Sequence, residues 1–210
     1  MTVEGVGVVA EGAGVGVRGG GAGVAGGGTR VVAVDGRSGA GKTSLAAELC
    51  AVLRAPAVSL EDLYGGWDGL ERGIDLLVSE VLEPLAAGRA ARVPRYDWVA
   101  GAWGEPWVLE PPGVLIVEGV GAGARRAARY ESALIWLDLP APERQRRALD
   151  RDGATFAPYW EMWAAQEEAL LARERTAERA GLVVDGRVDG ASAARQVLAW
   201  LSAGQVREGG

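Results

Sequence analysis

Val31-Val-Ala-Val-Asp-Gly-Arg-Ser-Gly-Ala-Gly-Lys-Thr43 decides the fold: an apolar run enters GxxxxGK[ST] from Gly36 to Thr43, and Leu45, Leu49 and Leu53 follow on one side of a helix. Gly36, Gly39 and Gly41 let the backbone turn tightly and aim successive N–H groups inward, while the helix N-terminus adds partial positive charge. The segment therefore reads as a phosphate-binding loop. Gly36, Ser38, Gly39, Ala40, Gly41, Lys42, Thr43 and Ser44 are its expected nucleotide contacts. Lys42 is expected to bridge the β and γ phosphates, and the Thr43 hydroxyl to ligate magnesium. A glycine-rich turn that merely joins strand to helix does not account for strand, full motif and amphipathic helix standing in order.

Outward from the loop, short apolar runs alternate with helical periodicity, the signature of a parallel α/β sheet. Val31 to Asp35, Ala57 to Leu60, Val114 to Glu118, Leu134 to Asp138 and Leu182 to Val184 are the five expected strands. Ile74, Leu77, Val78, Val81, Leu82 and Leu85 recur at spacings of three and four, as one buried helix face requires, with Pro84 expected to kink or end that helix. Another helix is expected to begin near Pro142, and a later one to carry Trp160, Trp163, Leu170 and Leu171, its tryptophans in the core. The fold class is α/β, a P-loop NTPase fold with a five-stranded parallel sheet flanked by helices.

A magnesium ion needs oxygen ligands beyond Thr43 and the phosphates. Leu115-Ile-Val-Glu118 ends an apolar strand on an acid at the carboxyl edge, where open α/β sheets bind ligands, so Glu118 is the expected partner and Asp138 its competitor. Farther on, Arg144, Arg147 and Arg151 fall on one helix face, which suits either a solvated surface or a lid that neutralises a triphosphate.

The 210 residues have room for one such domain. A net charge of -6 argues against a general grip on nucleic acid or anionic membrane, so neither is an expected partner. One cysteine, Cys50, and no histidine exclude a disulfide framework and the usual soft metal sites. With no secretory signal or apolar span evident, the reading is cytoplasmic. Residues 1–28 are glycine-rich low-complexity sequence and read as a mobile tail; their GxGxxG match at Gly14, Gly16 and Gly19 lacks the helix that a dinucleotide site requires.

These motifs, in this order, resemble the uridine kinase and phosphoribulokinase group of P-loop kinases, and more loosely pantothenate kinase. The likeness spans most of Thr29 to Gly186 and includes Ser59-Leu-Glu-Asp-Leu-Tyr64, Val93-Pro-Arg-Tyr-Asp-Trp98, Ile116-Val-Glu-Gly119, the Arg144, Arg147, Arg151 and Asp152 pattern, and Ala180-Gly-Leu-Val-Val184. It implies a kinase domain over 29–210, a lid at about 141–157 holding Arg147 and Arg151, and transfer of the γ-phosphoryl of Mg-ATP to a hydroxyl of a small, nucleoside-like molecule. It also implies an acceptor beside Tyr96, with Tyr64 and Trp98 as further contacts, and Glu118 near the magnesium. Its register sets Glu61, rather than Asp62, where the family keeps a catalytic aspartate. Both are candidate catalytic acids beside Lys42, Arg147 and Arg151.

Departures bear on the acceptor. Uridine kinases follow their Tyr-Asp pair with a His and an Arg, and Val99-Ala-Gly-Ala-Trp-Gly-Glu105 offers neither. Trp67, Trp98, Trp103 and Trp107 crowd the same region, either as a flat stacking pocket or as the core of a small insertion. A nucleotide or cofactor-precursor kinase, with Arg92 and Arg95 meeting an acceptor phosphate, and an ATP-binding regulatory protein are the competing functions. No Asn-Lys-x-Asp motif supports a GTPase, and self-association into a homo-oligomer stays open.

Overall fold

Strand β1 (Arg30–Asp35) is apolar along both faces because it lies at the centre of the sheet, covered on each side. The computed structural model describes residues 28–206, so the expected tail lies outside the described residues apart from Gly28. After β1 come α1 (Lys42–Leu53), β2 (Ala57–Ser59) and a 3-10 turn (Leu60–Asp62). α2 (Leu70–Leu76) passes through a π-helical stretch (Leu77–Leu82) into α3 (Glu83–Ala86). Then follow β3 (Ala91–Val93), β4 (Tyr96–Asp97), β5 (Ala102–Trp103), β6 (Trp107–Leu109), β7 (Val114–Glu118) and β8 (Glu131–Asp138). α4 (Ala141–Phe156), α5 (Trp160–Glu174), α6 (Thr176–Arg179), β9 (Leu182–Asp185) and α7 (Gly190–Val206) complete the chain.

The five expected strands form one parallel sheet in the order β2-β7-β1-β8-β9. Alternate residues divide two cores between its faces. Val31, Ala33, Leu115 and Val117 pack with Ile74, Leu77, Val81 and Leu170, whereas Val32, Val34, Ile116 and Ile135 pack with Leu45 and Leu49 of α1 and Val197 of α7. Each fully buried leucine contributes about 1.5–3 kcal/mol relative to exposure.

Where boundaries differ from expectation, local chemistry explains it. β2 stops at Ser59 instead of Leu60 because the Ser59 hydroxyl accepts from Glu61 N–H and caps the turn. β8 begins three residues before Leu134, its polar first residues Glu131 and Ser132 hiding it from an apolar count. The helix does end close to Pro84, at Ala86, and the turn before the proline widens, Glu83 N–H reaching back to Val78 O. Two small antiparallel pairs, β3 with β6 and β4 with β5, lie nested between Ala91 and Leu109 and were not expected.

The polar start of β8 has a measurable consequence. Glu131 Oε1 is buried without a hydrogen-bond partner among the described residues, and burial pushes the carboxyl up to about 7 against the opposing charge of Arg179. The unfolded chain releases this proton near 4.5 and the folded chain only near 7. The stability that Glu131 contributes is therefore fully present below about 4.5 and is lost as pH rises to about 7. Glu131→Gln is expected to stabilise the protein by roughly 1–2 kcal/mol at pH 8 and to give no gain at pH 4.5, read by thermal unfolding at both.

Candidate active site

The phosphate loop leaves β1 at Asp35, whose buried carboxylate accepts from Gly36 N–H at 2.7 Å and Gly121 N–H at 3.0 Å through Oδ1, and from Gly123 N–H at 3.0 Å through Oδ2. Burial pushes this carboxyl up, and the three backbone donors oppose the shift. Asp35 thus ties the start of the loop to the segment that follows β7. Gly39 is left-handed at φ +81°, and a Cβ there would fall 2.2 Å from Arg144 O, so both conformation and space demand glycine. Lys42 opens α1 at 7 % exposure, its Nζ donating to Arg37 O at 3.1 Å.

Parallel register brings the two expected metal ligands together. β7 runs beside β1 and β2, so Glu118 emerges between Thr43 and Ser59. Its Oε1 accepts from Ser59 Oγ at 2.9 Å and lies 3.4 Å from Thr43 Oγ1. At 4 % exposure, burial pushes its carboxyl up while Lys42 draws it down. One carboxylate and one hydroxyl form a hard-oxygen donor set that fits magnesium, which keeps waters and phosphates as its other ligands. No group of three or more acidic, His or Cys side chains gathers for a metal among the described residues. Asp138, the competitor, lies instead in a cleft with Arg37 and Arg144.

A second cleft of about 190 Å³ borders the loop, lined by Ala40, Gly41, Ser44, Arg147, Gly186 and Asp189. Three of the four arginines of α4, Arg144, Arg147 and Arg151, reach different partners around the loop. Arg144 is buried, donating to Leu139 O and Ser38 O; Arg147 donates to Gly186 O at 2.7 Å; Arg151 lies 3.6 Å from Glu61 Oε1. Arg144 thus belongs to the floor of the loop, whereas Arg147 is half-buried and Arg151 exposed. Gly153, at φ 51° and ψ -129°, breaks α4 just beyond them.

On the acceptor side the expected residues divide. Glu61 is 52 % exposed, with the Trp98 indole donating to its backbone carbonyl at 3.0 Å. Asp62 is half-buried, its carboxyl raised by burial and lowered by Arg95. Tyr96 meets Trp98 and Trp103 edge-on. Tyr64 departs from its expected place at the acceptor: at 2 % exposure its ring packs on Trp163 and its hydroxyl donates to Val120 O, so the protein's own atoms occupy both. Trp67 stacks on Phe156 and Tyr159 and touches Trp98 and Trp163. For Trp67 the core reading therefore holds, and its rings join the α4–α5 corner to the β4–β5 hairpin.

No protein-family model matches the chain. It is 30 % identical to a uridine kinase of Staphylococcus aureus, in a match that covers 59 % of this chain and 69 % of that protein. The chain belongs to the uridine kinase-like P-loop kinases. Among solved structures, the kinase superposes on a possible uridine kinase from Bacillus stearothermophilus with a TM-score of 0.58 at 20 % identity, over 77 % of this chain and 91 % of that one. A sugar kinase from Janibacter sp. matches with a TM-score of 0.53 at 18 % identity, over 83 % and 95 %. At such identities the two structures share the fold. The kinase acts on a small molecule, and no helix among its described residues is long and apolar enough to cross a membrane.

Sequence reasoning missed three residues of this kinase's site. Asp35 read as the last residue of a strand and Trp163 as core, and Glu167 was not singled out at all. The one available signal was Glu167 itself, four residues from Trp163 and so on the same buried helix face.

Proposed function

We propose that Mg-ATP binds with its phosphates in the loop from Gly36 to Ser44 and passes its γ-phosphoryl in line to a hydroxyl of a nucleoside-like small molecule. The observation that carries this reading is the meeting of Thr43 Oγ1 and Glu118 Oε1 at 3.4 Å beside the Lys42 ammonium. Magnesium, when bound there, would neutralise charge on the phosphates. Backbone amides from Gly39 to Ser44 would hold the β-phosphate, Lys42 would follow the charge that shifts during transfer, and Glu61 would take or orient the acceptor proton. The cleft bordered by Ala40, Ser44, Arg147 and Gly186 suits the nucleotide base.

Tyr96, Trp98 and the half-exposed Trp103 cluster edge-on, and this aromatic surface favours a ring-bearing acceptor over an acyclic one. The missing His and Arg after Asp97 argue that this acceptor differs from uridine in the groups it offers there. The test incubates the protein with Mg-ATP and a panel of nucleosides, sugars and vitamin-like alcohols, with product mass and ADP formed in equal amounts as the readout. ADP without a phosphorylated product from any member would contradict the acceptor reading.

Arg151 lies on the acceptor side and Arg147 beside the base cleft, so their losses should differ. Arg151→Ala is expected to lower kcat about tenfold with the KM for ATP changed less than about twofold, because it meets charge chiefly in the transition state. Arg147→Ala should lower kcat and raise the KM for ATP together. Steady-state kinetics at varied ATP reads both.

A further inference from the structure

Glu167, 1 % exposed on the inner face of α5, gathers donors from three parts of the chain. Its Oε1 accepts from Ser38 N–H at 2.8 Å and from the Trp163 indole at 3.0 Å. Its Oε2 accepts from Arg37 Nε at 3.0 Å and lies 3.9 Å from Arg144 NH1. The same neighbours reinforce the grip. Trp163 Nε1 also reaches Ser38 Oγ at 2.9 Å, Arg144 NH1 donates to Ser38 O at 3.3 Å, and Arg37 donates to Glu168 and to Ala164 O. Ser38 is thus held at its N–H, its hydroxyl and its carbonyl, by side chains of α4 and α5 alone.

A carboxylate this deeply buried is costly to desolvate unless paired, and here two guanidinium groups and two N–H donors offset the cost. Packing does not require it, since Trp163 and Leu170 already seat α5 on the core. What the carboxylate adds is a fixed position for Arg37-Ser38. That dipeptide leads into Gly39, and its Arg37 carbonyl receives Lys42 Nζ. The backbone whose place Glu167 sets therefore also sets the resting place of the lysine.

We propose that Glu167 is a positioning residue for phosphoryl transfer, holding Arg37-Ser38 so that the Gly39 to Thr43 amides and the Lys42 ammonium meet the triphosphate in one preset geometry. It acts through the loop and touches neither nucleotide nor acceptor. The proposal rests on the loop being the ATP site.

Calorimetric titration with Mg-ATP tests it without an identified acceptor. Glu167→Gln keeps the side-chain size and an oxygen for Ser38 N–H but removes the charge that holds Arg37 and Arg144. It is expected to weaken Mg-ATP binding about tenfold or more and to speed hydrogen exchange at residues 37–43, while Glu161→Gln on the exposed face of the same helix changes neither. Because the single variant leaves two guanidinium groups facing each other, Glu167→Gln combined with Arg37→Gln is made as well. This double variant restores the charge balance and is expected to recover melting temperature without recovering ATP affinity. Wild-type affinity in Glu167→Gln, or recovery of affinity together with melting temperature in the double variant, would overturn the proposal and leave the loop reading standing. A wild-type protein that binds no Mg-ATP would overturn both.

Discussion

Lys42→Ala is expected to lower phosphoryl transfer on the order of 10³-fold while the protein still folds. The size of the effect follows from where the charge sits. Lys42 is nearly buried, so its ammonium would meet bound phosphates with little intervening water, and electrostatic stabilisation grows as solvent is excluded. Its contribution to the fold is small by comparison. The side chain makes one hydrogen bond, to Arg37 O, belongs to neither apolar core, and occupies the first residue of a helix that alanine favours. Circular dichroism and thermal unfolding should stay close to wild type while turnover collapses. A folded Lys42→Ala protein with unchanged turnover would remove the loop from the reaction.

The same contrast between loop and surroundings explains how much was legible in the sequence. A phosphate loop is a local device: its glycines, lysine and hydroxyl must stand at fixed spacing, so Val31 to Thr43 declares itself without tertiary information. The five parallel strands are legible for a related reason, because strands covered on both faces become apolar runs. Glu118 could be placed because it ends such a run. By contrast, Ser38 is gripped by Trp163 and Glu167, and no spacing rule links residues so far apart. The β3–β6 and β4–β5 pairs are two or three residues long and leave no alternation to count. Trp67 was ambiguous in sequence because stacking on a ligand and stacking on Phe156 and Tyr159 call for the same residue. Tyr64 misled in the opposite way, its motif position suggesting a ligand contact while its hydroxyl satisfies Val120 O within the core.

For the adjacent acids Glu61 and Asp62, the expected result is a fall in kcat of roughly 10²-fold for Glu61→Gln and only a few-fold for Asp62→Asn. Neighbouring side chains on a tight turn diverge, and these two face different partners. The charge of Glu61 bears on Glu118 and Tyr64, on the side of the Thr43–Glu118 pair, and its carboxylate lies 3.6 Å from Arg151. Asp62 instead faces Arg95 of the hairpin. The Trp98 indole holds the Glu61 backbone carbonyl, so the turn is fixed while the carboxylate stays half-exposed and able to reach an acceptor hydroxyl. Its contact with Arg151 is a partly solvated pair worth less than about 1 kcal/mol, which an arriving substrate can displace. Glutamine preserves shape and removes the capacity to take a proton, so a base role predicts a loss in kcat at saturating ATP and acceptor with the KM for ATP nearly unchanged. The comparison needs both variants under identical conditions, with the acceptor found in the panel. If Asp62→Asn alone gives the large loss, the proton acceptor is Asp62 and the hairpin arginine Arg95 becomes its tuning charge; if neither does, neither acid of this turn takes the proton.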